Sequence, residues 1–193
     1  NYFEENKIAS RNLLAFAPDY LAYPPKQIPG EKPQYLSPLP GALHEIDLLN
    51  NHLPSKRYSG AMASESNFKR IASDYDILHL AMHTIVNDSL PMFSKLAFSS
   101  TINDTIDDGW LNTHEIYNMK LKARMAVLSA CNTGSGKLQK GEGVMSLARG
   151  FLYAGCPSII MTLWEVEDLS GTEIMSNFYR YLSKGKDKDE ALR

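Results

Sequence analysis

The chain has too few cysteines, too little net charge and too short apolar runs for several large protein classes. Two cysteines among 193 residues cannot build a disulfide framework or a four-thiolate zinc site. A formal charge of −2, from 20 basic and 22 acidic residues, leaves no footprint for nucleic acid or an anionic membrane. No apolar run approaches the roughly 18 residues of a membrane span. The segment Asn1-Tyr2-Phe3-Glu4-Glu5-Asn6-Lys7 has neither region of a signal peptide, so a reducing, cytoplasmic setting is expected. What is present is ordinary for a globular domain: 44% hydrophobic and 22% charged residues. A chain this long buries roughly 70% of its unfolded surface and needs no staple to fold. Residues 1–12 read as a ragged lead-in and 13–193 as one domain. Both ends cut across what read as continuing elements, so the domain is expected to be truncated, incomplete at its C-terminus.

Prolines crowd residues 18–40, which predicts a long loop. On either side of it, short apolar runs at 13–17, 77–82, 125–130 and 158–164 suit strands covered on both faces. Helical periodicity lies between them. One apolar face carries Leu43, Ile46, Leu48 and Leu49, and another Met145, Leu147, Ala148, Phe151 and Leu152. A third carries Ile174, Met175, Phe178, Tyr179 and Leu182 and closes at Gly185. Asn112 with Glu115, and Ser170 with Glu173, stand at capping-box spacing. Strand and helix alternate, so an α/β domain with a mostly parallel sheet is predicted. In such sheets function gathers at the carboxyl ends of the strands.

Three of the predicted strands end on chemistry. The run 77–82 meets His83, the run 125–130 meets Cys131, and the run 158–164 meets Glu165, Glu167 and Asp168. If these strands are neighbours, an imidazole and a thiol share one rim. A thiol with a pKa near 8.5 is only a few per cent thiolate at neutral pH, and an adjacent imidazole can take or return its proton. Cys131 also precedes a glycine-rich turn, which exposes its backbone N–H to an oxyanion. A small buried hydrophobe is the competing reading of a free cysteine, and on spacing alone both stand. His79 and His83 cannot share a metal, because residues four apart on a strand are separated by roughly 13 Å; His79 reads as a core or supporting histidine. Gly134-Ser135-Gly136-Lys137 is not a phosphate loop, since Leu138 stands where Ser or Thr must hold magnesium. Cys156 reads as structural, Trp110 and Trp164 as core anchors, and His44, His52 and His114 as helix-surface residues.

Several motifs in fixed order carry a family resemblance. They are Ile77-Leu78-His79-Leu80-Ala81-Met82-His83, Leu128-Ser129-Ala130-Cys131-Asn132-Thr133-Gly134, Gly141-Glu142-Gly143-Val144, Ala148-Arg149-Gly150-Phe151 and Leu163-Trp164-Glu165-Val166-Glu167-Asp168. Together they resemble the CHAT domain, a caspase-like, separase-related family often fused to tetratricopeptide repeats in bacterial proteins. Cys131 follows His83 by 48 residues, near the roughly 50 of caspase-type enzymes. The resemblance implies a caspase-like α/β/α sandwich and a cysteine endopeptidase acting through a thioester, without metal or cofactor. It makes His83 the general acid/base, Cys131 the nucleophile, and the N–H groups of Thr84 and Cys131 the oxyanion hole. Asp168 or Glu165 would receive a basic substrate side chain. The implied partners are a protein or peptide substrate and a repeat region of the same polypeptide. One departure stands out: relatives place Gly directly after the histidine, where this chain has Thr84. A branched residue there disfavours unusual backbone angles, and loss of one oxyanion donor costs on the order of 100–1000-fold in rate. The alternative is a silent caspase-like fold serving as an interaction scaffold.

Overall fold

The computed structural model describes residues 12–30, 34–101, 107–129, 142–162 and 168–193, with side chains from 170 onward in the last segment. In chain order, β1 (Leu13–Ala17), α1 (Pro40–Leu49), β2 (Ser55–Ser59) and α2 (Glu65–Ile71) precede β3 (Ile77–Leu80). Three short strands follow, β4 (Thr84–Ile85), β5 (Lys95–Ala97) and β6 (Trp110–Asn112), and then α3 (Thr113–Tyr117). The rest comprises β7 (Met125–Leu128), α4 (Glu142–Tyr153), β8 (Ile159–Met161), α5 (Asp168–Ser183) and α6 (Lys188–Ala191).

Five strands form one parallel sheet in the order β2-β1-β3-β7-β8, and β4-β5-β6 form a small antiparallel sheet. Every residue of β1, β3 and β7 is buried, as uninterrupted apolar runs require. Alternate side chains feed two cores. Leu13, Ala15, Ile77, Met125 and Val127 meet α1, α5 and α6 through Ile46, Phe178 and Ala191. On the other face, Leu14, Phe16, Leu78 and Leu128 meet Phe68, Ile116, Phe151 and the second sheet's Leu96 and Leu111. Phe16 stacks on Tyr58 at 5.0 Å and meets Phe68 edge-on at 5.5 Å; burying such a ring contributes roughly 2–3 kcal/mol. Helices on both faces of a parallel sheet give the expected caspase-like sandwich.

Several expectations shift in detail. The strand expected at 77–82 ends at Leu80, that at 125–130 ends at Leu128, and that at 158–164 spans Ile159–Met161. Residues 163–167, including Trp164, lie outside the described residues. β8 is only half-buried, and among the described residues it pairs on one side alone. The inward stripe of α1 is Ala42, Glu45, Ile46 and Leu49, so Leu43 faces solvent. Met145, Leu152 and Ile174 are likewise exposed, while the remaining residues of their faces pack. The box of Asn112 and Glu115 forms, with Glu115 Oε2 accepting from the Asn112 N–H at 2.9 Å. The second does not cap, because α5 begins at Asp168 and encloses Ser170. His52 lies in the turn after α1 rather than on a helix.

The strand order fixes where a crevice must open. From β1 the chain crosses to β2 on one side, and β3 then lies on the other side of β1. Loops leaving β1 and β3 at their carboxyl ends therefore part company, which is the topological switch point of an open α/β sheet. The proline-rich segment leaves β1 there, and His83 leaves β3 there.

Candidate active site

His83 is not the last residue of its strand. After Leu80, the Ala81 N–H donates to Phe16 O of β1 at 3.0 Å, and the chain then turns toward the second sheet. Ala97 N–H donates to His83 O at 3.0 Å, which makes His83 and Ala97 a hydrogen-bonded antiparallel pair. The return bond is missing, and Tyr20 takes its place. The His83 N–H donates to Tyr20 Oη at 2.9 Å, and that hydroxyl donates to Ala97 O at 2.8 Å. Burial drives the Tyr20 phenol far above its ordinary pKa, so it stays a neutral donor. Its ring also lies 4.9 Å from the imidazole.

The imidazole is 2% exposed, and Nε2 lies 2.8 Å from the Ser37 carbonyl oxygen. A carbonyl only accepts, so Nε2 carries the proton. In the neutral ring Nδ1 then holds the lone pair and is the basic nitrogen. The segment leaving β1 thus grips His83 twice, at the backbone through Tyr20 and at the ring through Ser37. It is itself pinned where Lys26 N–H donates to Asp108 O at 2.7 Å and Trp110 Nε1–H to Lys26 O at 2.8 Å.

Thr84 continues the antiparallel ladder opposite Leu96. The neighbouring pair His83/Ala97 is the hydrogen-bonded one, so alternation turns the Thr84 N–H away from β5 toward the open edge of β4. Among the described residues no non-glycine has a positive φ. Thr84 is extended backbone, and the branched side chain meets no conformational penalty there. The strain anticipated at a non-glycine residue after the histidine is absent. Its Oγ1 is buried and makes no hydrogen bond among the described residues.

Cys131 falls within residues 130–141 and Glu165 within 163–167, both outside the described residues. Asp168 is the first residue of α5, and its side chain also lies outside the described set. The neighbouring strands are described up to that point. Leu80 pairs with Leu128, and Ser129 N–H donates to Leu80 O at 3.0 Å. Cys156 is buried as expected, with its thiol pushed up to about 11 by burial and its Sγ 3.5 Å from Ser158 O.

A second polar group lies beneath this rim, on the α1/α5 face. His79, fully buried, has Nδ1 3.0 Å from Tyr179 Oη and Nε2 2.7 Å from Glu45 Oε1. The Nε2 approach is off the N–H axis, so that contact is electrostatic rather than an aligned hydrogen bond. Ser129 Oγ donates to the same Glu45 oxygen. Burial, then the nearby Glu45, raises the Tyr179 phenol well above its usual range.

Sequence reasoning found His83 and His79 but missed Tyr20, Ser37 and Glu45. No spacing signal marks a backbone carbonyl or a hydroxyl 63 residues upstream of its partner. Glu45 did leave a trace, since it shares the helical stripe of Ala42, Ile46 and Leu49.

At the sheet's switch point the described residues thus bring together a buried imidazole with Nε2 fixed as donor and the Thr84 N–H turned away from β5. The profile of the CHAT domain matches residues 18–193. Human tetratricopeptide repeat protein 28 is 23% identical over 185 residues, 80% of this chain and 7% of its own length. Its mouse counterpart is 22% identical over 178 residues, 77% of this chain and again 7% of its own length. The chain thus spans a small fraction of the curated relatives it matches. Among solved structures, a flavodoxin of Streptococcus pneumoniae TIGR4 aligns at 13% identity with a TM-score of 0.47, covering 92% of this chain and 100% of its own.

Proposed function

The chain belongs to the CHAT domain family, and on that premise we propose that it is a cysteine endopeptidase domain acting through His83 and Cys131. The observation that carries the reading is the Ser37 carbonyl on His83 Nε2, which orients the ring and makes Nδ1 the basic nitrogen of the neutral imidazole. The described ladder adds support. β3 and β7 are parallel neighbours, Leu80 pairing with Leu128, so their carboxyl ends lie on one rim. In this reading the Cys131 thiolate attacks the scissile carbonyl carbon and forms a C–S bond. The Thr84 N–H and the Cys131 N–H receive the oxyanion. The imidazolium of His83 gives its proton to the leaving amine as the C–N bond breaks. Water, deprotonated by the same imidazole, then hydrolyses the thioester. An acidic group from Asp168 or Glu165 receives a Lys or Arg side chain before the scissile bond. The repeat-protein relatives support a place beside tetratricopeptide repeats in one longer polypeptide.

Peptide-resolved alkylation with iodoacetamide at pH 7 tests the dyad. Cys131 is expected to react well ahead of Cys156, whose thiol is buried and held near 11, and His83→Ala is expected to erase that lead. Equal rates in the unmodified protein would remove the peptidase reading and leave a caspase-like interaction scaffold.

A further inference from the structure

Resting on the peptidase reading, we propose that Glu45 is a positioning residue whose carboxylate clamps the end of β3 to the end of β7 and so sets the spacing of the strand ends that lead to His83 and Cys131. One oxygen, Glu45 Oε1, touches both strands: His79 Nε2 at 2.7 Å and the hydroxyl of Ser129. His79 lies four residues before His83, and Ser129 two residues before Cys131. Among the described residues the ladder gives those ends one further bond, Ser129 N–H to Leu80 O at 3.0 Å. The clamp acts at the level of the last described ladder bond.

Packing does not explain a carboxylate here. Glu45 is 5% exposed in a stripe otherwise made of Ala42, Ile46 and Leu49, and taking a charge out of water costs more than an apolar side chain of that size. A buried polar network that spans several elements instead ties their positions together, here through the Ser129 hydroxyl's hydrogen bond to Glu45 and the charge contact of Glu45 with His79. This one joins four elements or their ends: α1 through Glu45, β3 through His79, the end of β7 through Ser129, and α5 through Tyr179, 3.0 Å from His79 Nδ1. A fixed gap is what a thiol and an imidazole on separate loops require, because small misplacements of reacting groups cost large factors in rate.

The test uses the full polypeptide with Ser129→Ala, Ser129→Thr and Glu45→Gln, and His83→Ala in parallel. Ser129→Ala is expected to slow iodoacetamide modification of Cys131 roughly tenfold, the worth of one hydrogen bond to a charged group. It should also speed exchange of the Ser129 amide by a similar factor. Ser129→Thr keeps the hydroxyl and should restore both, and Glu45→Gln, which keeps an acceptor oxygen but no charge, should fall between. Cys156 serves as the internal gauge of global opening and should not change. Wild-type values for both the Cys131 rate and Ser129 exchange in Ser129→Ala would overturn the clamp. So would an equal acceleration at Cys156, which means general loosening. If His83→Ala leaves Cys131 unaffected, the dyad reading falls, and amide exchange still decides the clamp.

Discussion

Tyr20 performs at one residue what a sheet performs along a strand. Its hydroxyl occupies the position of a ladder bond, accepting from the His83 N–H and donating to Ala97 O. Tyr20→Phe keeps the ring contact with His83 and removes only that bridge. Two buried main-chain groups then lose their partner, which costs about 2 kcal/mol. A lower urea midpoint with an unchanged slope is the expected outcome, together with slower alkylation of Cys131. His83 was legible in the sequence because it is a rare chemical type set beside an apolar run. Tyr20 was not, because a tyrosine in a proline-rich loop carries no periodic signal, and its task is set by residues 63 and 77 positions away.

Among the elements, legibility followed burial. β1, β3 and β7 are covered on both faces and announced themselves as apolar runs. β2 reads Ser55-Lys56-Arg57-Tyr58-Ser59 and was passed over, since an edge strand can afford charges that keep other chains from pairing with it. The antiparallel strands are two or three residues long and lie below the length at which alternation can be detected. α4 was foreseen, and its start explains one residue of the Gly141-Glu142-Gly143-Val144 motif. A Cβ on Gly143 would lie 2.5 Å from Val86 Cγ1 and 2.7 Å from Ser94 Oγ, while its N–H donates to Asp88 Oδ1 at 3.0 Å. The helix start is pressed against the loop that follows His83 and Thr84. Gly143→Ala is therefore expected to cost about 2 kcal/mol. For a chain of this length that is a melting temperature lower by roughly 4–8 °C.

At the scale of the molecule, the described residues form two cores and, besides the Glu45–His79 contact, a partly buried charge cluster around Lys69. Lys69 Nζ holds Glu65 at 2.6 Å, Asp107 at 2.8 Å and Glu115 at 2.9 Å, tying α2 to the loop before β6 and to α3. Glu65 is the most deeply buried of the three acids. Burial raises its carboxyl to about 7 against the pull of Lys69. The folded state therefore holds a proton that the unfolded chain, with a carboxyl near 4.5, releases. The sign follows: this contribution is present below about 4.5 and is lost as pH rises through about 7. Chemical denaturation across pH 5–8 should show the wild type losing stability relative to Glu65→Gln, by about 1 kcal/mol per pH unit at the steepest. A flat difference would mean that Lys69 keeps Glu65 ionised throughout.

The ring of His83 is held by a carbonyl, and a carbonyl belongs to every residue that could stand at position 37. Pro38 favours an extended backbone at its neighbour whatever side chain that neighbour carries. Exchanging Ser37 for other residues should therefore leave the acceptor in place. A mutational scan would then score position 37 as dispensable while its oxygen holds the imidazole. Such a contact is inherited through chain length and path, and it is exposed to insertions, deletions and a lost proline rather than to substitution.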